Sequence, residues 1–375
     1  MVIFPAPMPR VERTVRAAEL HGKAIELRAA GKLVEAERCC RQAAALFEKV
    51  EGRESANAVH ARVELGEMVE LRGELAEAVR LLEEAALDLR REASAAATPA
   101  DVRGLYLRAA LGAGRVRQLR GDYAAAERVY AGALTWAARH MGERSAGVAA
   151  VLTAQGILRK AQGRYADALK LYRKALPIVR RQRGPKAADL AALHHNLAGS
   201  EHARGRLAQA EEHARRGLGI RRRAFGPRDP GVIADEAALA PILDGLGKRT
   251  EAERLYRKAL KYFTAWYGPR SYEVAVNLGN LGALYRNTGE LAKAERYFRR
   301  AIEVEKGLLG KKHPELALSL NNLAVVLGAR GDEAGAVKVY RRALGIFAAT
   351  VGKRHPHYLG CKHNLDRLES GRGAP

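Results

Sequence analysis

Residues 278–302 read Leu278-Gly-Asn-Leu281-Gly282-Ala-Leu-Tyr285-Arg-Asn-Thr-Gly289-Glu-Leu-Ala-Lys-Ala294-Glu-Arg-Tyr-Phe298-Arg-Arg-Ala301-Ile302. Leu278, Leu281, Gly282 and Tyr285 stand at offsets 0, 3, 4 and 7, one face of an α-helix. Ala294, Phe298, Ala301 and Ile302 stand at 0, 4, 7 and 8, a second helical face. Between them Gly289 supplies a sharp turn, where positive φ costs glycine nothing. The stretch predicts helix, glycine turn, helix.

That pattern repeats. Gly121, Gly163, Gly205, Gly247, Gly289 and Gly331 are each 42 residues apart, and Gly31 and Gly73 keep the same spacing upstream. The gap of 48 between Gly73 and Gly121 places six extra residues, most simply in Ser94-Ala-Ala-Ala-Thr-Pro99. Five positions after each of these glycines stands an alanine, from Ala36 to Ala336. Nine after stands Tyr130, Tyr172, Tyr256, Phe298 or Tyr340, with Cys40, Leu82 and Ala214 as departures. Twelve after stands alanine again, from Ala43 to Ala343, replaced once by Gly217. The alanines let a neighbouring helix approach closely, and the aromatic fills the gap beyond. A second glycine set, Gly142, Gly184, Gly226, Gly268, Gly310 and Gly352, marks the loops between units. There Asp229-Pro230, His313-Pro314 and His355-Pro356 set proline at the first helical position, with Asp229 or Ser271 as N-cap. A single hairpin cannot bury its apolar face, so stacked neighbours must form the core.

Composition agrees. The chain has 375 residues, 47% hydrophobic and only 6% aromatic, which suits packed helices and opposes a β-sandwich or barrel. Three cysteines, Cys39, Cys40 and Cys361, exclude a disulfide scaffold and a CxxC motif. No apolar run approaches the ~18–20 residues of a membrane helix. The opening Met1–Arg10 lacks the basic and long apolar regions of a secretory signal, so a cytoplasmic compartment is expected. The Ala, Arg and Gly bias would suit a GC-rich bacterial genome.

The pattern L-G-x-x-Y, turn glycine, alanine, aromatic, alanine resembles the tetratricopeptide repeat. Runs such as Leu320-Asn-Asn-Leu-Ala324 and Leu309-Gly-Lys-Lys-His-Pro314 look like the 42-residue repeats of kinesin light chains. The resemblance covers about residues 12–373. It implies an all-α, right-handed superhelical solenoid of about eight hairpins plus a C-terminal capping helix. After a short tail at 1–11, the repeats fall at about 12–58, 59–104, 105–146, 147–188, 189–230, 231–272, 273–314 and 315–356. The cap at 357–373 starts again at His355 and stops near Gly373; its polar Lys362, Asp366, Arg367 and Glu369 face solvent.

By this resemblance the first helix of each pair lines a concave groove. Nine residues before the turn glycine stand Asn196, Asn280, Asn322 and Asn364, which in peptide-binding members contact the ligand. The alternative is that they bond between adjacent helices. The position is Ala154, Ala238, Glu64, Gly22 and Gly112 elsewhere. Neighbouring groove positions give His195, His202, Arg286, Asn321, His363, Lys160 and Arg115. Pro241 inside a first helix is either a hinge or a tolerated irregularity.

Residues 1–100 carry 15 Lys+Arg and 17 Asp+Glu, whereas the remainder carries a net charge of +25. Part of that excess forms a column on the second helices: Arg173-Lys174, Arg215-Arg216, Arg257-Lys258, Arg299-Arg300 and Arg341-Arg342. Such pairs are read either as a solvated face or as a binding surface. A field of this sign attracts an acidic partner. The expected function is a non-enzymatic adaptor for an acidic peptide or acidic protein surface. The resemblance extends that to a cytoskeletal or signalling protein, tubulin-like filaments included, or to a sensor role beside a separate effector enzyme. A nucleic-acid partner is the rival, since a pI near 10 is its electrostatic footprint. No recognition motif accompanies the footprint, and the stripe tyrosines are expected in the core.

Enzymatic motifs are missing. Gly245-Leu-Gly-Lys-Arg-Thr250 lacks P-loop spacing, and neither a GxSxG nor an HExxH motif occurs. His357 and Cys361 are four apart and near His355 and His363, but His355 shares the register of His313 and has a capping role. No metal, cofactor or catalytic residue is expected.

Overall fold

The computed structural model describes residues 9–95, 100–184 and 188–371, and every regular element among them is an α-helix. Contacts divide the chain in two: residues 1–117 with 128–141, and residues 118–127 with 142–375. The first unit contains α1 (Arg10–Ala29), α2 (Leu33–Glu51), α3 (Ala56–Leu71), α4 (Leu75–Ala93) and most of α5 (Ala100–Leu119) and α6 (Tyr123–Met141). The second contains α7 (Ala146–Ala161), α8 (Tyr165–Arg183), α9 (Ala188–Ala203), α10 (Leu207–Phe225), α11 (Pro230–Gly245) and α12 (Arg249–Tyr267). It continues through α13 (Tyr272–Asn287), α14 (Leu291–Leu309), α15 (Pro314–Ala329), α16 (Glu333–Thr350) and α17 (Pro356–Glu369). Within the second unit each helix packs on its chain neighbour, and successive odd-numbered helices also touch. This is an all-α repeat solenoid built from hairpins.

Local chemistry sets the boundaries. Helices α7, α9, α11, α13 and α15 have 16 residues each, and α8, α10, α12 and α14 have 19. Ser145, Asp229 and Ser271 accept from the backbone N–H groups of the first turn, and Pro230, Pro314 and Pro356 occupy its start. His313 and His355 cap in the same way, each through Nδ1 at 3.2 Å from the N–H two residues on. At the turn, Gly163 has φ +73°, its N–H reaches the Lys160 carbonyl, and the Arg164 N–H reaches the Arg159 carbonyl at 2.8 Å. These bonds satisfy carbonyls that a helix end would otherwise leave open. Gly52 also has positive φ and is the loop glycine of the first hairpin. It lies outside the 42-residue series because the six-residue insertion intervenes. Residues 96–99 of that insertion lie outside the described residues.

The stripe forms the core. Ala168, Tyr172 and Ala175 are fully buried, as are Ala294, Phe298 and Ala301 to within 1%. Three of these aromatics lie over a glycine of the partner helix: a Cβ on Gly114, Gly156 or Gly282 would stand 2.3, 2.3 or 3.0 Å from the ring of Tyr130, Tyr172 or Phe298. That close approach makes the first and second helices of one hairpin a matched pair.

Helix α11 continues through Pro241. A second internal proline, Pro177 in α8, accompanies it. In α17, Cys361, Leu365 and Leu368 are buried, while Lys362, Asp366 and Glu369 are exposed and Arg367 is half-buried. The helix ends at Glu369 and its positive-φ residue is Gly371, two residues before the expected Gly373, which lies outside the described residues. Among the described residues no helix is long and apolar enough to cross a membrane.

Candidate functional site

The expected ligand asparagines separate into two groups. Asn196, Asn280 and Asn322 are half-buried and have no hydrogen-bond partner among the described residues. Asn364 instead donates from Nδ2 to Asn321 Oδ1 at 3.2 Å, linking α17 to α15. The interhelix role thus applies to Asn321 and Asn364. His195 is exposed, with Nδ1 3.5 Å from Asp235 Oδ1, and Asp235 also accepts from Arg221 Nε at 2.6 Å. Arg286 donates to Asn287 Oδ1 at 3.3 Å, and His363 is exposed.

Lys160 reaches from α7 across α9. Its Nζ lies 2.9 Å from the place where a Cβ on Gly199 would stand, so the glycine makes room for the ammonium. No carboxylate pairs with Lys160 among the described residues, and burial lowers its pKa. Beside it a cavity of about 250 Å³ opens between α9, α10 and α11. His195, His202, Asp235 and Asn280 line it together with Gly199. The structure therefore gathers His195, His202 and Asn280 around one cavity. Asn196, Asn321, Asn322, Asn364, Arg286 and His363 do not line it.

The first unit differs. Glu64 occupies the asparagine position on α3, and with Glu67 and Glu70 it faces arginines. Arg28 lies 3.0 Å from Glu64, Arg108 lies 2.5 Å from Glu64 and 2.7 Å from Glu67, and Arg115 lies 2.6 Å from Glu70. Here the equivalent track neutralises itself, and Arg115, one of the expected groove positions, is held by Glu70.

The basic column on the second helices is also largely paired. Arg215, Arg257 and Arg299 lie 2.7, 2.8 and 2.7 Å from Glu211, Glu253 and Glu295, four residues earlier on the same helix. Arg173 pairs with Glu201, Lys258 with Glu236, Arg341 with Glu369, and Arg216 stands 3.9 Å from Glu212. Lys174, Arg300 and Arg342 have no acidic partner among the described residues. The i, i+4 spacing of Glu and Arg was visible in the sequence; the longer-range partners were not.

Other features were missed. Trp266 is 60% exposed and stacks on Tyr262 at 5.5 Å, Tyr267 and Tyr272 are exposed nearby in sequence, and Phe225 is exposed at the end of α10. They lie at helix ends outside the stripe register, the one signal that could have separated them from core aromatics. His194 and His213 pair through Nδ1 atoms 3.1 Å apart, beside the backbone contact of Gly217 with α9. Burial first, then His213, pushes the His194 pKa down to about 4. Cys361 is buried with its thiol 3.9 Å from the Tyr340 carbonyl, and His355 is occupied as a cap. No group of metal-ligating side chains occurs among the described residues.

The family model described as "Tetratricopeptide repeat" matches residues 105–181, 189–265, 238–304 and 273–349, and a second of the same description matches 59–84. No curated protein matches. Among solved structures, BtubC (BKLC) from P. vanneervenii is 29% identical over 62% of this chain and 92% of its own, with TM-score 0.46. RapI in its apo form is 15% identical over 77% and 97%, with TM-score 0.55. A signal transduction ATPase with a tetratricopeptide repeat sensor from Pyrococcus horikoshii is 14% identical over 90% and 50%, with TM-score 0.52.

Proposed function

The chain belongs to the tetratricopeptide repeat family, and from that premise we propose that it is a non-enzymatic scaffold binding an acidic protein segment along the first helices of its second unit. One observation carries this reading: on that face three asparagines and one lysine have no polar partner among the described residues. Asn196, Asn280 and Asn322 have open amides, and Lys160 is a half-buried ammonium without a carboxylate. An amide that donates and accepts suits an extended backbone, and an unpaired ammonium suits an aspartate or glutamate. The acids on the same face, Asp235 and Asp244, already have Arg221 and Arg249 at 2.6 and 3.7 Å. An incoming carboxylate therefore meets little uncompensated negative charge.

The test is a display of dodecapeptides, followed by titration of labelled acidic hits against nuclease-treated protein. Acidic peptides should bind, and Asn280→Ala with Asn322→Ala should weaken them at least tenfold without changing helicity or melting. Lys160→Met should reduce the preference for acidic over neutral peptides. Equal affinity in the double asparagine variant would remove this site. Loss of all binding on nuclease treatment would transfer the function to nucleic acid.

A further inference from the structure

A row of cations follows the loops of the second unit. Two residues after the loop glycine stand Arg144, Lys186, Arg228, Arg270, Lys312 and Arg354, a cation at every 42-residue step. Lys186 lies outside the described residues; the other five are exposed, and none has an acidic partner among the described residues. Successive odd-numbered helices touch, so the loops that lead into them follow one another along one edge. Lys311 and Lys353 add to the row, and the carboxylates in the five described loops are Glu143 and Asp229, the second engaged as an N-cap.

Helix chemistry does not call for this row. Each described member stands directly before an N-cap, Ser145, Asp229, Ser271, His313 or His355, where the dipole of the following helix favours an anion. The second-helix column differs, since Arg215, Arg257 and Arg299 are each held by a glutamate of their own helix. In the first unit the equivalent loop position is Glu54, and its neighbour Arg53 is held by Glu84 and Asp88. An aromatic platform stands beside the row. Trp266 is exposed and lies parallel to Tyr262, with planes 12° apart and centroids 5.5 Å apart. The Tyr262 hydroxyl donates to the Arg228 carbonyl, which seats the stack against the loop that carries this cation. Trp266 and Tyr267 end α12, and Arg270 follows in the next loop. Phe225 holds the register of Tyr267 one hairpin earlier and is exposed as well.

We propose that this edge is a second binding surface, for single-stranded nucleic acid, with phosphates along the loop cations and a base stacked on the open face of Trp266. A polymer whose charge repeats along its length matches a cation that repeats once per hairpin. A parallel aromatic pair with one face open suits a base, and every base has a π-face, so binding is tolerant of sequence. Inorganic polyphosphate and an anionic bilayer would meet the same cations; the stack favours the planar base over either. The edge is separate from the first-helix face proposed above, and neither depends on the other.

The experiment titrates labelled single-stranded RNA of about 20 nucleotides, enough to span several hairpins, against nucleic-acid-free full-length protein. Anisotropy and tryptophan emission are read together. Saturable binding with quenched emission is expected, and Trp266 is its source because Trp136 is buried. Arg228→Gln, Arg270→Gln and Lys312→Gln together should flatten the slope of log affinity against log salt by about 2, at ~0.7 per phosphate contact. Removing the same charge from the paired column, with Arg215→Gln, Arg257→Gln and Arg299→Gln, should flatten it far less. Trp266→Ala should weaken RNA roughly tenfold and leave polyphosphate binding unchanged. Equal losses from the row and the column would overturn the edge as a site, because net charge alone would then account for binding. Unquenched emission with unchanged affinity in Trp266→Ala would overturn the stacking, and with it the assignment to nucleic acid. Uptake by phosphatidylserine vesicles without saturable RNA binding would overturn it in favour of a membrane. A matching loss of RNA affinity in the Asn280→Ala, Asn322→Ala variant would move the polyanion to the peptide face and overturn the second surface, whereas the peptide titration judges that face by itself.

Discussion

Glu305 occupies a position that the repeat gives to Phe263 in one hairpin and Phe347 in another. It is 6% exposed, accepts one bond from Ser319 at 2.8 Å, and leaves Oε2 unpartnered. Burial pushes its pKa up to about 7. A carboxyl with a raised folded-state pKa favours the protonated form, so its stabilising effect is complete below about pH 4.5 and is lost as pH rises through about 7. The buried His194 acts in the opposite sense. Its pKa is depressed to about 4, so its contribution is complete above about pH 6.5 and is lost as pH falls through about 4. Each shift corresponds to about 3 kcal/mol at most. Urea unfolding of Glu305→Gln should show greater stability at pH 8 and a flattened slope between about pH 4.5 and 7. An unchanged slope would mean that the carboxyl finds water or another partner.

Hairpins depend on pairs rather than on single positions. The ring of Tyr172 is fully buried over Gly156, whose Cβ would intrude to 2.3 Å. Gly156→Ala should cost about 1–3 kcal/mol by overpacking. Tyr172→Ala should cost about 3–5 kcal/mol by leaving a cavity. The double variant should cost less than the sum, because the added methyl meets no ring. Strict additivity in chemical denaturation would show that the two helices adjust independently. The hairpin of α9 and α10 has Ala198 and Ala214 at these two positions, and both line the cavity: a small residue on both helices leaves space, whereas a small residue on one side is how the fold admits a ring.

Across the chain, the excess of positive charge beyond residue 100 is divided between committed and free groups. Most members of the column are held by glutamates, and exposed pairs of this kind contribute little each. Lys174, Arg300 and Arg342 retain their field, and under the proposed function they would speed the encounter with an acidic partner rather than hold it. Replacing all three with glutamine should slow association of an acidic peptide severalfold at low salt and leave its dissociation rate unchanged. Stopped-flow fluorescence over a salt series would measure both; an altered dissociation rate would place these residues in the bound contact. In the first unit, Glu64, Glu67 and Glu70 already occupy their arginines, so no comparable effect is expected from Arg28 or Arg108.

The hairpins, their turns and their caps were readable before any coordinates, because each depends on residues within about one helical turn of one another. Gly289, Ser271, Pro314 and the alanine stripe needed only their spacing. The charge state of the surface was not readable in that way. Arg115 meets Glu70 from 45 residues away, and Lys258 meets Glu236 from the preceding first helix. Distances of that kind are set by how stacked helices settle against one another. The alanine at position 214 was visible as a departure from the repeat, but its consequence was not. A missing ring leads to a collapsed joint or an open cavity according to how closely two helices can approach, and Gly217, Pro241 and Tyr256 settle that only when they are brought together in space.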